Sequence, residues 1–255
     1  MISGYPHFLG LASRLQWDEK AIDLSDDAAA WPRLDAPVRE RLVRLIAGFC
    51  VGEAAVADAL DPFAAAALDE EAAACFRAQE RDEARHARFF DRVAAEVGMV
   101  AGASAEERRN ALRHRLEPRF LALFEHRLPA VAHALSVSDA RLDDAVGLYH
   151  MVLEGVVFTA GQLAILDLLE ENPLPGVRRG VELVLRDERW HVGFGTRCLQ
   201  DAHLPPGAIP SILAEGEAAA TLWSGATGVR AAVRVVAILH RRLGAVHPAE
   251  RETLH

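Results

Sequence analysis

Two short stretches, Gln79-Glu80-Arg81-Asp82-Glu83-Ala84-Arg85-His86 and Arg186-Asp187-Glu188-Arg189-Trp190-His191, constrain the fold of this chain more than any other feature. Each contains Glu-x-x-His. On a helix the i and i+3 positions share a face, so each stretch presents a carboxylate and an imidazole side by side. A single pair of this kind arises freely by chance, and Glu252 with His255 at the C-terminus is read as such an accident. The first two differ in what precedes them. Glu53 lies 30 residues before Glu83, and Glu154 lies 34 residues before Glu188, each a lone glutamate on an otherwise apolar helix face. Two Glu helices and two Glu-x-x-His helices form the donor set of a carboxylate-bridged two-metal site inside a four-helix bundle. The spacing therefore predicts an all-α fold with a four-helix core.

The rest of the chain fits that core. Residues 1–35 read as an irregular lead-in anchored by Trp17 and Trp31. Asp35 is placed to cap a first core helix with Pro37 in its first turn. Leu42, Ile46, Phe49, Glu53, Val56 and Leu60 then step by four and three along one seam. The second core helix repeats the rhythm through Phe76, Gln79, Glu83, His86, Phe90, Val93 and Val97, leaving Glu80, Asp82 and Arg85 to face elsewhere. Residues 104–136 form an accessory helix, or two broken near Pro118. A third core helix runs from about Asp139 to Glu171 and a fourth carries Val181, Val184, Glu188, His191, Gly195 and Cys198. The stretch 207–255 supplies a last accessory helix and a tail. No strand alternation or phosphate-cradling glycine loop interrupts the pattern.

A chain of 255 residues, 51% hydrophobic, can bury this core as a single domain. A net charge of -9 argues against nucleic acid or an anionic membrane as partner. No apolar run reaches membrane-spanning length and no signal peptide opens the sequence. Cys50, Cys75 and Cys198 cannot all pair, which suits a reducing cytoplasm.

A buried carboxylate costs several kcal/mol unless it is matched, so four seam glutamates and two histidines need partners. The plain alternative pairs them with arginines such as Arg81 and Arg189. Two divalent metals would satisfy Glu53, Glu83, His86, Glu154, Glu188 and His191 at once, and oxygen-rich ligation with two imidazoles suits Fe(II) and Mn(II). Gly147, Gly161 and Gly195 lie where larger side chains would fill the core, which predicts an apolar substrate cavity there. His150, one turn before Glu154, reads as a satisfied buried histidine or a support to the ligands.

From about Trp17 to Cys198 the residues resemble the ribonucleotide reductase small-subunit superfamily, within the ferritin-like fold. The six candidates fall at that family's metal positions in order. Trp17 and Asp187 resemble its outer Trp–Asp–His relay, which would end at His86. A reductase subunit passes a radical through a tyrosine near its C-terminal tail, whereas the two tyrosines here are Tyr5 and Tyr149, and Phe90 stands at the usual radical position. That weighs against a radical-generating subunit.

The closer resemblance is to the ligand-binding oxidases of the superfamily, through Gly52-Glu53-Ala54-Ala55-Val56 and Tyr149-His150-Met151-Val152-Leu153-Glu154-Gly155. It implies a centre of one Mn and one Fe, with two Fe as the variant, and O2 as oxidant. It also implies a small apolar ligand such as a long-chain fatty acid, and an ether bond between Val56 and Tyr149. By spacing alone Tyr149, five residues before Glu154, lies off the metal seam and reads as an ordinary buried tyrosine. Gln162 stands where members often carry a second tyrosine, and the chain ends before the segment that helps enclose the ligand. Phe90, Gly161, Gln162 and Gly195 make up the expected substrate pocket, and the expected assembly is a homodimer. A ferritin-like iron-binding bundle remains a third class, which a cage-sized particle in solution would reveal.

Overall fold

The computed structural model describes residues 3–67, 69–137, 140–223 and 225–246, and among them every regular element is helical. In chain order these are α1 (Tyr5–Arg14), α2 (Ser25–Ala30), α3 (Ala36–Ala57), α4 (Asp61–Ala66), α5 (Glu70–Glu96) and α6 (Ala105–Arg113). There follow α7 (Pro118–Ala122), a π-helical turn (Leu123–Arg127) and α8 (Leu128–Val137). A continuous helix, Leu142–Glu171, comprises α9 (Leu142–Val146), a π segment (Gly147–Phe158) and α10 (Thr159–Glu171). Then come α11 (Pro175–Asp201), α12 (Ala208–Ala219) and α13 (Gly228–Val246). The expected start of the third core helix at Asp139, and the Glu252/His255 pair, lie outside the described residues.

The core pairs α3 with α5 and the Leu142–Glu171 helix with α11, while α1 lies across α5 and α11, and α12 and α13 cover the π segment. Helix ends are stabilised locally where the sequence allows it. The Asp69 side chain accepts from Ala72 N at 2.9 Å, and Glu70 and Glu71 follow in the first turn of α5. Asp35 behaves otherwise than expected. Its side chain makes no capping bond, and its carbonyl accepts from Arg39 N.

The described part of the lead-in, residues 3–35, is not the irregular stretch the sequence suggested. It contains α1, α2 and two short 3₁₀ turns, Glu19–Ala21 and Trp31–Arg33. Its role is structural as well. The buried carboxylate of Asp27 accepts from Gly176 N at 2.9 Å and Val177 N at 2.8 Å, capping α11 from a distant part of the chain. Only glycine fits at 176, because a Cβ there would run into the Asp23 carbonyl.

The Leu142–Glu171 helix is long and apolar enough to cross a bilayer by length and composition, although polar residues such as His150, Glu154 and Gln162 interrupt its apolar run. Within its most apolar window 72% is buried inside the protein, as befits the central helix of a bundle. All twelve residues of its π segment are buried. Trp223, between α12 and α13, plugs the core from outside: its indole N–H donates to Val157 O at 2.8 Å and its ring meets Phe49 and Phe120.

Candidate metal centre

The six sequence candidates converge. Glu53 comes from α3, Glu83 and His86 from α5, Glu154 from the π segment, and Glu188 and His191 from α11, all essentially withdrawn from solvent. They form two overlapping groups, Glu53–Glu83–His86–Glu188 and Glu83–Glu154–Glu188–His191, with one donor atom of each residue within 4.8 Å of the others in its group. Glu83 and Glu188 belong to both, as bridging carboxylates would. His86 turns Nδ1 toward Glu83 Oε2 (3.2 Å) and Glu53 Oε2 (3.7 Å). His191 turns Nδ1 toward Glu83 Oε1 (3.1 Å), Glu154 Oε1 (3.4 Å) and Glu188 Oε2 (3.5 Å).

The donor set fits divalent cations on chemical grounds. Both oxygens of Glu53, Oε2 of Glu154 and of Glu188, and Nδ1 of His191 are buried without a hydrogen-bond partner. Such orphans are costly unless something fills the space between them. Arg81 and Arg189 do not, because both are exposed. Burial drives the Glu53 and Glu154 carboxyls well above the usual carboxylate range and raises Glu188, with neighbouring carboxylates adding to each rise. Glu83 moves the other way: His191 and His86 beside it outweigh its burial and hold it well below that range. Both imidazoles are likewise raised against burial, His86 chiefly by Asp187, Glu53 and Glu83, and His191 chiefly by Glu83 and Asp82.

Around these six stands a second layer. Asp187 Oδ2 accepts from the Trp17 indole at 2.6 Å and lies 3.3 Å from His86 Nε2, so the Trp17–Asp187–His86 chain is present. Its counterpart is a residue the sequence reading sent elsewhere. Asp82 is buried, accepts from the Trp190 indole at 3.2 Å and lies 3.5 Å from His191 Nε2. Arg85, also expected to face away, is buried between the two aspartates. The signal was there to read, since Arg-Asp-Glu precedes both histidines and Asp82 matches Asp187 position for position.

Tyr149 corrects a geometric expectation. A π segment closes i→i+5 bonds, so residues five apart come onto one side. The Tyr149 hydroxyl accordingly donates to Glu83 Oε1 at 3.1 Å. Its neighbour His150 engages Gln79 Oε1 at 3.0 Å, while the Gln79 amide donates to Glu83 Oε1 at 3.3 Å and to Glu154 Oε1. With the glutamine oxygen turned to His150, Nε2 must carry the imidazole proton. Burial depresses His150 to about 3, so the ring stays neutral. Val56 is fully buried on α3, one turn beyond Glu53.

The expected pocket residues divide. Phe90 is buried and stacks on Phe49 with ring centroids 4.4 Å apart. Gln162 donates to Glu188 Oε1 at 3.3 Å, which puts it at the centre rather than in a separate pocket wall. The glycines open no cavity. A Cβ at Gly161 would lie 2.6 Å from the Trp223 ring and 2.9 Å from Phe49, one at Gly195 would overlap His150, and one at Gly147 would lie 2.8 Å from Ile212. They permit close packing of large neighbours.

Comparison with known proteins agrees with this geometry. The model of a family described as "Ribonucleotide reductase, small chain" matches residues 8–207. An R2-like ligand-binding oxidase from Sulfolobus acidocaldarius superposes with a TM-score of 0.77 at 23% identity, over 96% of this chain and 92% of that one. A variant R2-like ligand-binding oxidase with an anaerobically reconstituted Mn/Fe cofactor gives 0.77 at 19% identity, over 99% and 94%. Another, with an aerobically reconstituted Mn/Fe cofactor, gives 0.71 at 20% identity, over 96% and 92%. At such identities these likenesses speak for the fold.

Proposed function

Because this chain belongs to the ribonucleotide reductase small-chain family, we propose that it is a two-metal oxidase. Its centre is one Mn and one Fe, or two Fe, held by Glu53, Glu83, His86, Glu154, Glu188 and His191. The observation that carries this reading is the set of buried, unpartnered carboxylate oxygens meeting at two overlapping groups. When bound, the metals supply the electrons and the open coordination position that O2 activation requires.

The chain's own residues do the rest. Asp187 and Asp82 hold the distal nitrogens of His86 and His191, which leaves both Nδ1 atoms free to ligate. Gln79 steadies Glu83 and Glu154, with His150 fixing the orientation of its amide. The two protein residues we propose for oxidation are Val56, one turn from Glu53, and Tyr149, whose hydroxyl donates to Glu83. An ether bond between them removes one hydrogen from each side chain, and O2 takes up the two electrons and two protons.

The substrate class we favour is a small apolar molecule such as a long-chain fatty acid. A surface depression of about 380 Å³ is lined by Leu123, Val152, Ala218, Ala219 and Leu222, together with the charged Arg119, Arg127 and Glu215. The assembly we expect is a homodimer, which the mass in solution tests. The reading as a whole is tested by elemental analysis after reconstitution with Mn(II) and Fe(II) in air. Two metals per chain are expected, and a protein that retains none overturns it. Peptide mass spectrometry of the same sample looks for the joined Val56 and Tyr149 peptides, and extraction with lipid mass spectrometry looks for the ligand.

A further inference from the structure

The outer layer of the centre is doubled, and one residue joins its two copies. Asp187 gathers the Trp17 indole, the distal nitrogen of His86 and Arg85; Asp82 gathers the Trp190 indole, the distal nitrogen of His191 and the same Arg85. Arg85 Nη2 reaches Asp82 Oδ1 at 2.7 Å and Asp187 Oδ2 at 3.0 Å, so this nitrogen spends its two protons on two aspartates. The guanidinium is held in turn. Nη1 donates to Gln16 Oε1 at 2.9 Å, Gln16 donates to Asp82 Oδ1 at 3.2 Å, and the Trp17 ring lies 5.0 Å from the Arg85 Cζ. Within the repeat Arg85 occupies the place that Trp190 takes in the other half, and it reaches both aspartates, whereas Arg186 reaches Asp187 Oδ1 alone, at 3.2 Å.

We propose that Arg85 is a positioning residue shared by both metal positions, coupling them so that loading one prepares the other. The inference rests on the two-metal reading above. Two buried aspartates this close repel unless a cation lies between them. Where Asp82 sits therefore depends on Arg85, and where Asp187 sits depends on Arg85 at Oδ2 together with Arg186 at Oδ1. A metal on His86 fixes that imidazole and Asp187, Asp187 fixes Arg85, and Arg85 fixes Asp82 behind His191. The ordering is done once and serves both metals, which is positive coupling in the thermodynamic sense.

The experiment is Mn(II) titration followed by electron paramagnetic resonance, which distinguishes a spin-coupled Mn(II) pair from a single bound ion. At one Mn(II) per chain the unaltered protein is expected to hold mostly coupled pairs. Arg85→Gln is expected to hold mostly single ions at that ratio, reaching pairs only near saturation. Outer partners of metal ligands are worth about tenfold or more in affinity, so the ratio of pair to single ion should fall at least about tenfold. A general weakening of the fold would lower both signals together and leave their ratio alone. Arg85→Lys, which keeps the charge and loses the planar fork, is expected to fall between the two. It also decides the matter if the glutamine variant fails to fold: a ratio equal to that of the unaltered protein overturns the proposal. So does an unchanged ratio in a folded Arg85→Gln protein. If the unaltered protein shows no coupled pair even at saturating Mn(II), the two-metal reading itself has failed.

Discussion

The half of the centre on α3 and α5 and the half on the Leu142–Glu171 helix and α11 follow one residue order, yet they are finished differently. In the first half both helices are regular, and Glu53 has neither oxygen hydrogen-bonded. In the second half the helix carrying Glu154 is π-helical from Gly147 to Phe158, and its extra residue per turn brings Tyr149 inward beside Glu154. Glu154 is also bound by Gln79. The indoles differ too: Trp17 comes from the lead-in and is partly exposed, whereas Trp190 comes from α11 itself and is buried. A repeat can thus supply symmetric ligands while its surroundings assign each half its own work. The regular half supplies the Gln79 amide and reaches the surface through Trp17; the π half adds the Tyr149 hydroxyl.

The strongest way to break the comparison is to remove the part both halves share. Glu83 belongs to both donor groups, so changing Glu83 and His86 together to Ala should abolish metal at both positions. Glu154→Ala should spare the Glu53–Glu83–His86–Glu188 group. Elemental analysis of the two variants after identical reconstitution separates these outcomes, and equal retention of metal would show that the halves do not share Glu83.

Next in size is the effect of pH, which tests whether the halves exchange protons for metal alike. Glu53, Glu154 and Glu188 lie above the carboxylate value of 4.5, and His86 and His191 above the imidazole value of 6.5. Raised folded values mean that the proton-linked stability is fully present below the unfolded values and is lost as pH rises through the folded ones. Metal-stripped protein should therefore lose stability from about pH 4.5 upward, less the opposing contribution of Glu83, which is depressed. Metal expels the same protons, so its affinity should climb over that window. Calorimetry in buffers of different ionisation enthalpy counts the protons released, and zero release would contradict these assignments.

A smaller effect belongs to the π half alone. Gly195 leaves room for His150, which orients Gln79. Gly195→Ala should cost about 1–3 kcal/mol by overpacking, read from denaturant unfolding of the metal-stripped protein. An unchanged midpoint would mean that His150 moves aside freely.

What could be read in the sequence follows the same division. The convergence of the six candidate ligands was legible because each half repeats Glu followed by Glu-x-x-His, and a doubled pattern outweighs chance. Asp82 was legible by the same repeat, but seam spacing alone turned it outward. The π segment was not legible, since Leu142–Glu171 is apolar on nearly every face and a helix buried all round carries no phase. The glycines misled for a related reason. Gly161 and Gly195 read as space until Trp223, Phe49 and His150 occupied it, and those partners come from distant parts of the chain. The helices of the lead-in were hidden by their shortness, and Asp27 finds its role only once α11 lies beside it.

The smallest expected effect is the sharpest test of the difference between the halves. Burial and the surrounding glutamates push the Tyr149 hydroxyl well above its ordinary value, so it stays protonated and donates to Glu83. Glu83 keeps the Gln79 amide and both imidazoles as neighbours when that donor is lost. Tyr149→Phe should then cost only about 0.5–1.5 kcal/mol in unfolding free energy and leave two metals bound. Its chemical consequence is all or nothing. After aerobic metal loading the unaltered protein should yield the Val56 and Tyr149 peptides joined and lighter by two hydrogens, and Tyr149→Phe should yield them separate. The anaerobically loaded, unaltered protein should also yield them separate, since the bond needs an oxidant. Separate peptides from a fully metallated, aerobically loaded unaltered protein would leave Tyr149 as a hydrogen-bond donor to Glu83, and the π half would differ from the regular one in geometry alone.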